Sequence, residues 1–165
     1  MNPLARNEPG KTILAMGNDA IVRGGLEAGL GYFSTYPGTP ASEIGEGFTA
    51  LKQQFPHIHT EFSVNEHVAA HGAQGASWAN VRSMVTMKHV GMNVASEVLH
   101  FAAYSGVRAG FVVVVGSDPG ATSSTSEQDD RWYSLHTHLP ILEPATIQEA
   151  KDFTIKAFEL SEKYN

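Results

Sequence analysis

Glu61-Phe-Ser-Val-Asn-Glu66-His-Val-Ala-Ala70 decides the fold. A short extended piece gives way, at a glutamate, to a helix built almost wholly from small residues. A carboxyl group at such a strand-to-helix junction lies at the carboxyl edge of a parallel sheet, where open α/β folds bind their ligands. The helix behind it continues through Gly72, Ala73, Gly75, Ala76 and Ser77. Each glycine costs it about 1 kcal/mol relative to alanine, a cost that makes sense where another backbone or a flat ligand packs closely.

Outward from this junction, extended and helical segments alternate. Thr12-Ile-Leu-Ala-Met16 reads as a first strand, and Asn18 as the cap of a helix over 19–28 that Gly29 ends. Tyr32-Phe-Ser-Thr-Tyr36 is a second strand. Thr39 and Pro40 open the next helix as cap and first-turn residue. Further strands are expected over 59–62, 82–87, 111–115 and 140–143, with helices over 64–79 and 93–104. The run Phe111-Val-Val-Val-Val115 has the continuous apolar character of a strand covered on both faces. Thr146 and Glu149 form a capping box for a final helix. The pattern predicts an α/β fold, a doubly wound parallel sheet of about six strands with helices on both faces. It divides the chain into a polar tail over 1–11 and one domain over 12–165. The stretch 116–138 is rich in polar residues and reads as a long, mobile functional loop.

The chain has 165 residues, 42% of them hydrophobic, enough for one domain with a proper core. A net charge of -6 and the lack of any basic run argue against a nucleic-acid partner. No apolar run approaches a membrane span, so a cytoplasmic protein is expected. Cysteine is absent, which removes thiol catalysis and iron–sulfur ligation by this chain.

Four sets of residues are candidates for chemistry. Ser63 and Glu66 have the spacing of a capping box, the commoner reading of such a pair; Glu66 as a working carboxylate is the other, with Glu61 its competitor on the preceding strand. Gly38 and Thr39 lie in a strand-end turn before a helix whose amides favour an anion. Lys88, His89 and Asn93 follow the fourth expected strand, again at the ligand-binding edge. The pairs His57/His59, His136/His138 and His67/His71 lack a completing ligand set, so no metal site is expected. Gly24, Gly25, Gly29 and Gly31 do not form a dinucleotide fingerprint.

Three segments in order, Tyr36-Pro-Gly-Thr-Pro-Ala-Ser-Glu-Ile44, Val64-Asn-Glu-His-Val68 and Met87-Lys-His-Val-Gly-Met-Asn-Val94, resemble the pyrimidine-binding domain of the indolepyruvate ferredoxin oxidoreductase alpha subunit family. That family uses thiamine diphosphate. The resemblance implies that Glu66 hydrogen-bonds a ring nitrogen of the cofactor's aminopyrimidine and so activates it, and that Gly38, Thr39 and Asn93 contact the cofactor. It further implies that Thr39 and Lys88 meet the substrate and that His89 moves protons. The implied reaction is oxidative decarboxylation of 2-oxo acids, arylpyruvates favoured, to acyl-coenzyme A with reduction of ferredoxin. The long loop after the fifth strand also resembles the family's. Pyruvate-type relatives are expected to place an arginine where this chain has Gly116-Ser117-Asp118, and Arg131 lies well down the loop.

The family's diphosphate and Mg2+ are held through a Gly-Asp-Gly motif that this chain lacks. It is therefore expected to be inactive alone and to complete its site with a diphosphate-binding domain or subunit. Iron–sulfur clusters would be held elsewhere, and ferredoxin and CoA would be met through the full complex. The small-residue helix is expected to face another subunit of a homo-oligomer. Two other readings are a small subunit of a non-oxidative thiamine-dependent 2-oxo acid decarboxylase and a non-catalytic interaction module of the same fold.

Overall fold

The computed structural model describes residues 2–120 and 126–165. After a short 3-10 turn at Pro3–Ala5, the helices are α1 (Gly17–Glu27), α2 (Ser42–Leu51), α3 (Glu66–Trp78), α4 (His89–Val94), α5 (Ser96–Ser105), α6 (Arg131–Thr137) and α7 (Ile147–Tyr164). The strands are β1 (Tyr32–Thr35), β2 (His59–Phe62), β3 (Ser83–Lys88) and β4 (Phe111–Gly116). They pair in the order β2-β1-β3-β4, and every pairing is parallel.

Among the described residues the sheet thus has four strands, not about six. Residues 12–16 and 140–143 have apolar composition but join no ladder. Leu14 lies open to solvent and Ile141 is nearly half exposed, so neither segment has a face to bury. The polar stretch 116–138 contains α6, where a continuous loop was expected.

Alternation along the strands sends side chains into two cores. Phe33, Met84 and Val112 point to one face and pack with Val22, Leu30, Ile44, Phe48 and Phe158 beneath α1, α2 and α7. Val85 and Met87 point to the other and pack with Ala69, Ala70, Ala73, Met92, Val98 and Leu99 beneath α3, α4 and α5. Helices cover both faces, as a parallel sheet requires.

The small residues of α3 serve this second layer. Ala69, Ala70 and Ala73 have no exposed surface, and Ser34 Oγ donates to the Ala69 carbonyl at 2.7 Å. A Cβ at Gly72 would collide with the Tyr32 hydroxyl. Close approach to the chain's own sheet therefore accounts for much of the helix's composition. Its opposite side, including Val68, His71 and Gly75, is exposed.

Strand order places a switch point between β1 and β3. From β1 the chain crosses outward to β2 by α2 on one face; it returns past β1 to β3 by α3 on the other. At such a point the loops part in opposite directions and leave a crevice at the carboxyl ends of the strands.

The amino edge is fastened by charge. Arg82 Nε and Nη2 donate to the two Glu162 carboxylate oxygens at 2.6 Å each, and Glu162 Oε1 also accepts from the Gly110 amide at 3.1 Å. The Arg82 hydrogen bond is the main reason the Glu162 carboxyl is held below its ordinary range.

Candidate functional site

Three segments meet at the switch point. Residues 36–41 leave β1 and fold over the ends of β3 and β4. A Cβ at Gly38 would lie 2.8 Å from Lys88 Cβ, and one at Gly116 would lie 2.9 Å from Ala41 Cβ. Glycine at both positions lets the turn rest on the strand ends. The Thr39–Pro40 peptide is cis, and the helix starts only at Ser42. Pro40 is thus outside the first helical turn, and Thr39 is not the cap. Instead the Ala41 amide closes a turn onto the Gly38 carbonyl at 2.8 Å. Asn18, expected to cap α1, donates to the Pro40 carbonyl at 2.7 Å and to Glu43 Oε2 at 3.0 Å. Helix α1 is closed by Asp19, whose carboxylate accepts from the Met16 amide at 2.9 Å. Thr39 is left exposed, its side chain open to a ligand.

The second segment carries Glu66. The expected Ser63/Glu66 capping box does not form. Asn65 is the cap, its side-chain oxygen accepting from the Val68 amide at 2.8 Å, while Ser63 Oγ donates to Glu61 Oε1 at 2.8 Å. Asparagine is as good a cap as serine, and a shift of two residues makes Glu66 the first residue of α3 rather than the third. Glu66 is released from capping. It is only 9% exposed, and no donor among the described residues hydrogen-bonds its carboxylate. A carboxylate in that condition is costly unless something supplies a donor.

The third segment, after β3, forms the wall beside it. A Cβ at Gly91 would lie 2.7 Å from Glu66 Cγ, 2.8 Å from Oε1 and 3.0 Å from Cδ. Only a glycine lets α4 approach the glutamate so closely. Gly91 was not singled out from the sequence; its place after Lys88-His89 was the available signal. Lys88 is largely buried, with Nζ 3.3 Å from Asp118 Oδ2, so a carboxylate already neutralises part of its charge.

His89 has no exposed surface. Its Nε2 donates to the Ser126 carbonyl at 3.0 Å, which assigns the proton to that nitrogen. Nδ1 is buried without a partner among the described residues. The His89 carbonyl accepts from Gln128 Nε2 at 2.7 Å, and that amide also donates to Asp130 Oδ1 at 2.7 Å. Asn93 is exposed but engaged, donating to Gln128 Oε1 at 2.8 Å and accepting from Tyr133 Oη at 2.6 Å. Gln128 and Asp130, also missed in the sequence, thus clasp the long loop onto α4. Residues 121–125 of that loop lie outside the described residues. Arg131 is exposed and pairs with Asp129 at 2.8 Å.

Glu61 competes poorly for a chemical role. Its strand is at the sheet's edge, and its carboxyl is held below the ordinary range, chiefly by the Ser63 hydroxyl and then by His59. Both partners already occupy its oxygens at 2.8 and 3.3 Å.

The sequence pattern of the pyruvate flavodoxin/ferredoxin oxidoreductase thiamine diP-binding family matches residues 23–165. The chain belongs to this family. It is 46% identical to indolepyruvate oxidoreductase subunit IorA of Archaeoglobus fulgidus over 99% of its own length and 27% of that protein's. It is 48% identical to the subunit of the same name from Pyrococcus abyssi over 96% of its length and 24% of that protein's. The chain therefore spans about a quarter of these relatives. A solved structure of 2-oxoglutarate:ferredoxin oxidoreductase from Magnetococcus marinus, with 2-oxoglutarate, coenzyme A and succinyl-CoA bound, superposes with a TM-score of 0.76 at 28% identity. It covers 96% of this chain and 28% of the other. The likeness accords with the parallel sheet and its two helical layers.

Thiamine diphosphate fits what the site offers. Its pyrimidine ring is flat and carries a nitrogen that can share a proton with a carboxylate; Glu66 is a buried acceptor with no donor among the described residues, beside a glycine that keeps the wall close.

Proposed function

We propose that this chain is the pyrimidine-binding domain of a thiamine diphosphate-dependent 2-oxo acid:ferredoxin oxidoreductase acting on arylpyruvates such as indolepyruvate. The observation that carries the reading is Glu66, buried at the head of α3, excused from capping by Asn65 and without a donor among the described residues. When bound, the cofactor supplies a carbon nucleophile and an electron sink for decarboxylation.

The chain's own residues prepare that chemistry. Glu66 holds a proton at the pyrimidine ring nitrogen, and the wall at Gly91 fixes the carboxylate's position. Gly38 lets the turn sit on Lys88, which presents Thr39 at the switch point to cofactor and substrate. Lys88 attracts the substrate carboxylate in exchange for Asp118. His89 anchors the loop through Nε2–H and leaves Nδ1 as the atom able to accept a proton. Asn93 reaches the cofactor by giving up its bonds to Gln128 and Tyr133. These roles rest on placement at one sheet edge together with membership of the family.

The diphosphate and its Mg2+ would be held by another domain or subunit, as would the iron–sulfur clusters, since this chain has no cysteine. The surface has room for such a partner. Val64 is 79% exposed, and Phe62, Val68 and Val94, close in sequence to Glu66 and Asn93, are exposed apolar residues as well. No helix among the described residues is long and apolar enough to cross a membrane. The proposed enzyme is a cytoplasmic, homo-oligomeric complex that meets ferredoxin and CoA through its other parts.

Turnover tests this reading in the assembled enzyme containing the chain. Indolepyruvate should reduce ferredoxin with CoA and thiamine diphosphate present, and Thr39→Ala should lower kcat/KM without lowering the melting temperature. Unaltered kcat/KM would remove Thr39 from the site. Failure of any aryl 2-oxo acid to support reduction, with other 2-oxo acids active, would overturn the substrate class.

A further inference from the structure

His67 and His71 stand one turn apart on α3, and Glu97 of α5 faces them. One nitrogen of each imidazole and one Glu97 carboxylate oxygen all lie within 4.8 Å of one another. The His71 Nε2 to Glu97 Oε2 distance is 3.7 Å, and the two rings have centroids 4.5 Å apart, inclined at 64°. A single ion with bonds of about 2.0–2.2 Å to nitrogen and oxygen spaces its tetrahedral ligands about 3.3–3.5 Å apart. The three side chains need only close by small rotations, and none is so buried that this is prevented.

The far nitrogen of His71 supports the same reading. Nδ1 lies 3.3 Å from the His67 carbonyl oxygen. A ring N–H donated to a backbone carbonyl is the usual outer contact of a metal-bound histidine; it fixes the tautomer and aims the other lone pair at the ion. Here that lone pair points toward Glu97.

A lone His71–Glu97 pair contributes little at the surface. A divalent cation would engage both imidazoles and the carboxylate together. Two imidazoles and one carboxylate suit zinc and its neighbours better than magnesium or calcium. We propose that His67, His71 and Glu97 form a zinc-class divalent-metal site that ties α3 to α5, with water in the fourth position. The site adjoins Glu66 in sequence, so the ion would steady the helix that carries the glutamate without touching the cofactor.

A natural control lies farther along α5. His100 Nε2 and His136 Nδ1 are 2.5 Å apart, but no third ligand joins them among the described residues. Metal-stripped protein is titrated with zinc by calorimetry and with cobalt(II) by visible absorption. One equivalent should bind, with the intense bands of four-coordinate cobalt. His71→Asn and Glu97→Gln should each weaken binding by at least about 10-fold, whereas His100→Asn should leave it unchanged. Zinc should raise the melting temperature of the wild type and not of His71→Asn; without metal the two should melt alike, because His71 is exposed. Absence of stoichiometric binding to the wild type would overturn the proposal. So would binding that survives in both His71→Asn and Glu97→Gln, or that is lost in His100→Asn.

Discussion

Replacing Gly91 by alanine tests how tightly Glu66 is held. The added Cβ would stand 2.7 Å from Glu66 Cγ, whereas ordinary contact begins at 3.4 Å. The glutamate stem must retreat by roughly 0.7 Å, and its Oε1, at 2.8 Å, must move as well. Overpacking of this kind costs about 1–3 kcal/mol. Alanine in place of glycine inside α4 returns about 1 kcal/mol of helix propensity. The net loss should be at most about 2 kcal/mol, which for a domain of this size lowers the melting temperature by roughly 4–8 °C. Activity should fall much further, because displacing a reacting group by about 1 Å can cost about 100-fold. Gly75→Ala supplies the control: nothing lies within 4 Å of its added Cβ, so it should stabilise α3 by roughly 0.5–1 kcal/mol and leave turnover intact. The assay is thermal melting beside kcat in the assembled enzyme. Full activity in Gly91→Ala would refute the claim that the α4 wall positions Glu66.

Two further outcomes follow from the contacts at the sheet's edges. The folded-state pKa of Glu162 lies below its ordinary value of 4.5, so the Arg82 pair adds stability above about that pH, and the increment disappears as pH falls through the lower folded-state value. Glu162→Gln should cost about 1 kcal/mol or less near pH 7, and melting curves of variant and wild type should converge as pH falls below the lowered folded-state value; a constant gap at all pH values would contradict the ion-pair origin. Gln128 clasps the loop to α4 through His89 and Asn93, so Gln128→Ala should speed amide exchange over residues 126–130 without altering exchange in β4. Unchanged exchange would show that the loop is held by other contacts.

Much of this architecture is legible in the sequence because its signals are local. The valine run of β4 and the capping box of α7, where Thr146 Oγ1 accepts from the Glu149 amide at 3.1 Å, need no distant partner to be read. The failures have equally definite causes. Residues 12–16 have strand composition, but a strand also needs a neighbour, and pairing is invisible in a single segment. Around Glu66 two caps competed within three residues, and the more familiar box drew attention to Ser63 when Asn65 was available. That two-residue shift changes the glutamate from a structural bond into an open acceptor. Gly91 and Gln128 were missed because their importance lies in what folds against them, residues 25 and 39 positions away. The order of the three motif segments pointed to the right family; the wall beside Glu66 appeared only with the fold.

The central claim is that Glu66 governs a proton on the cofactor. Glu66→Gln keeps shape and hydrogen-bonding capacity, and Asn65 still caps α3, so the melting temperature should change little. Glutamine cannot take up and return a proton, and loss of such a group lowers rates by about 100- to 10,000-fold. The decisive measurement is deuterium exchange at the reactive carbon of bound thiamine diphosphate, wild type against Glu66→Gln, in the assembled enzyme. The account predicts exchange slowed by at least about 100-fold with near-normal melting. Exchange at the wild-type rate in a folded, cofactor-loaded variant would contradict it.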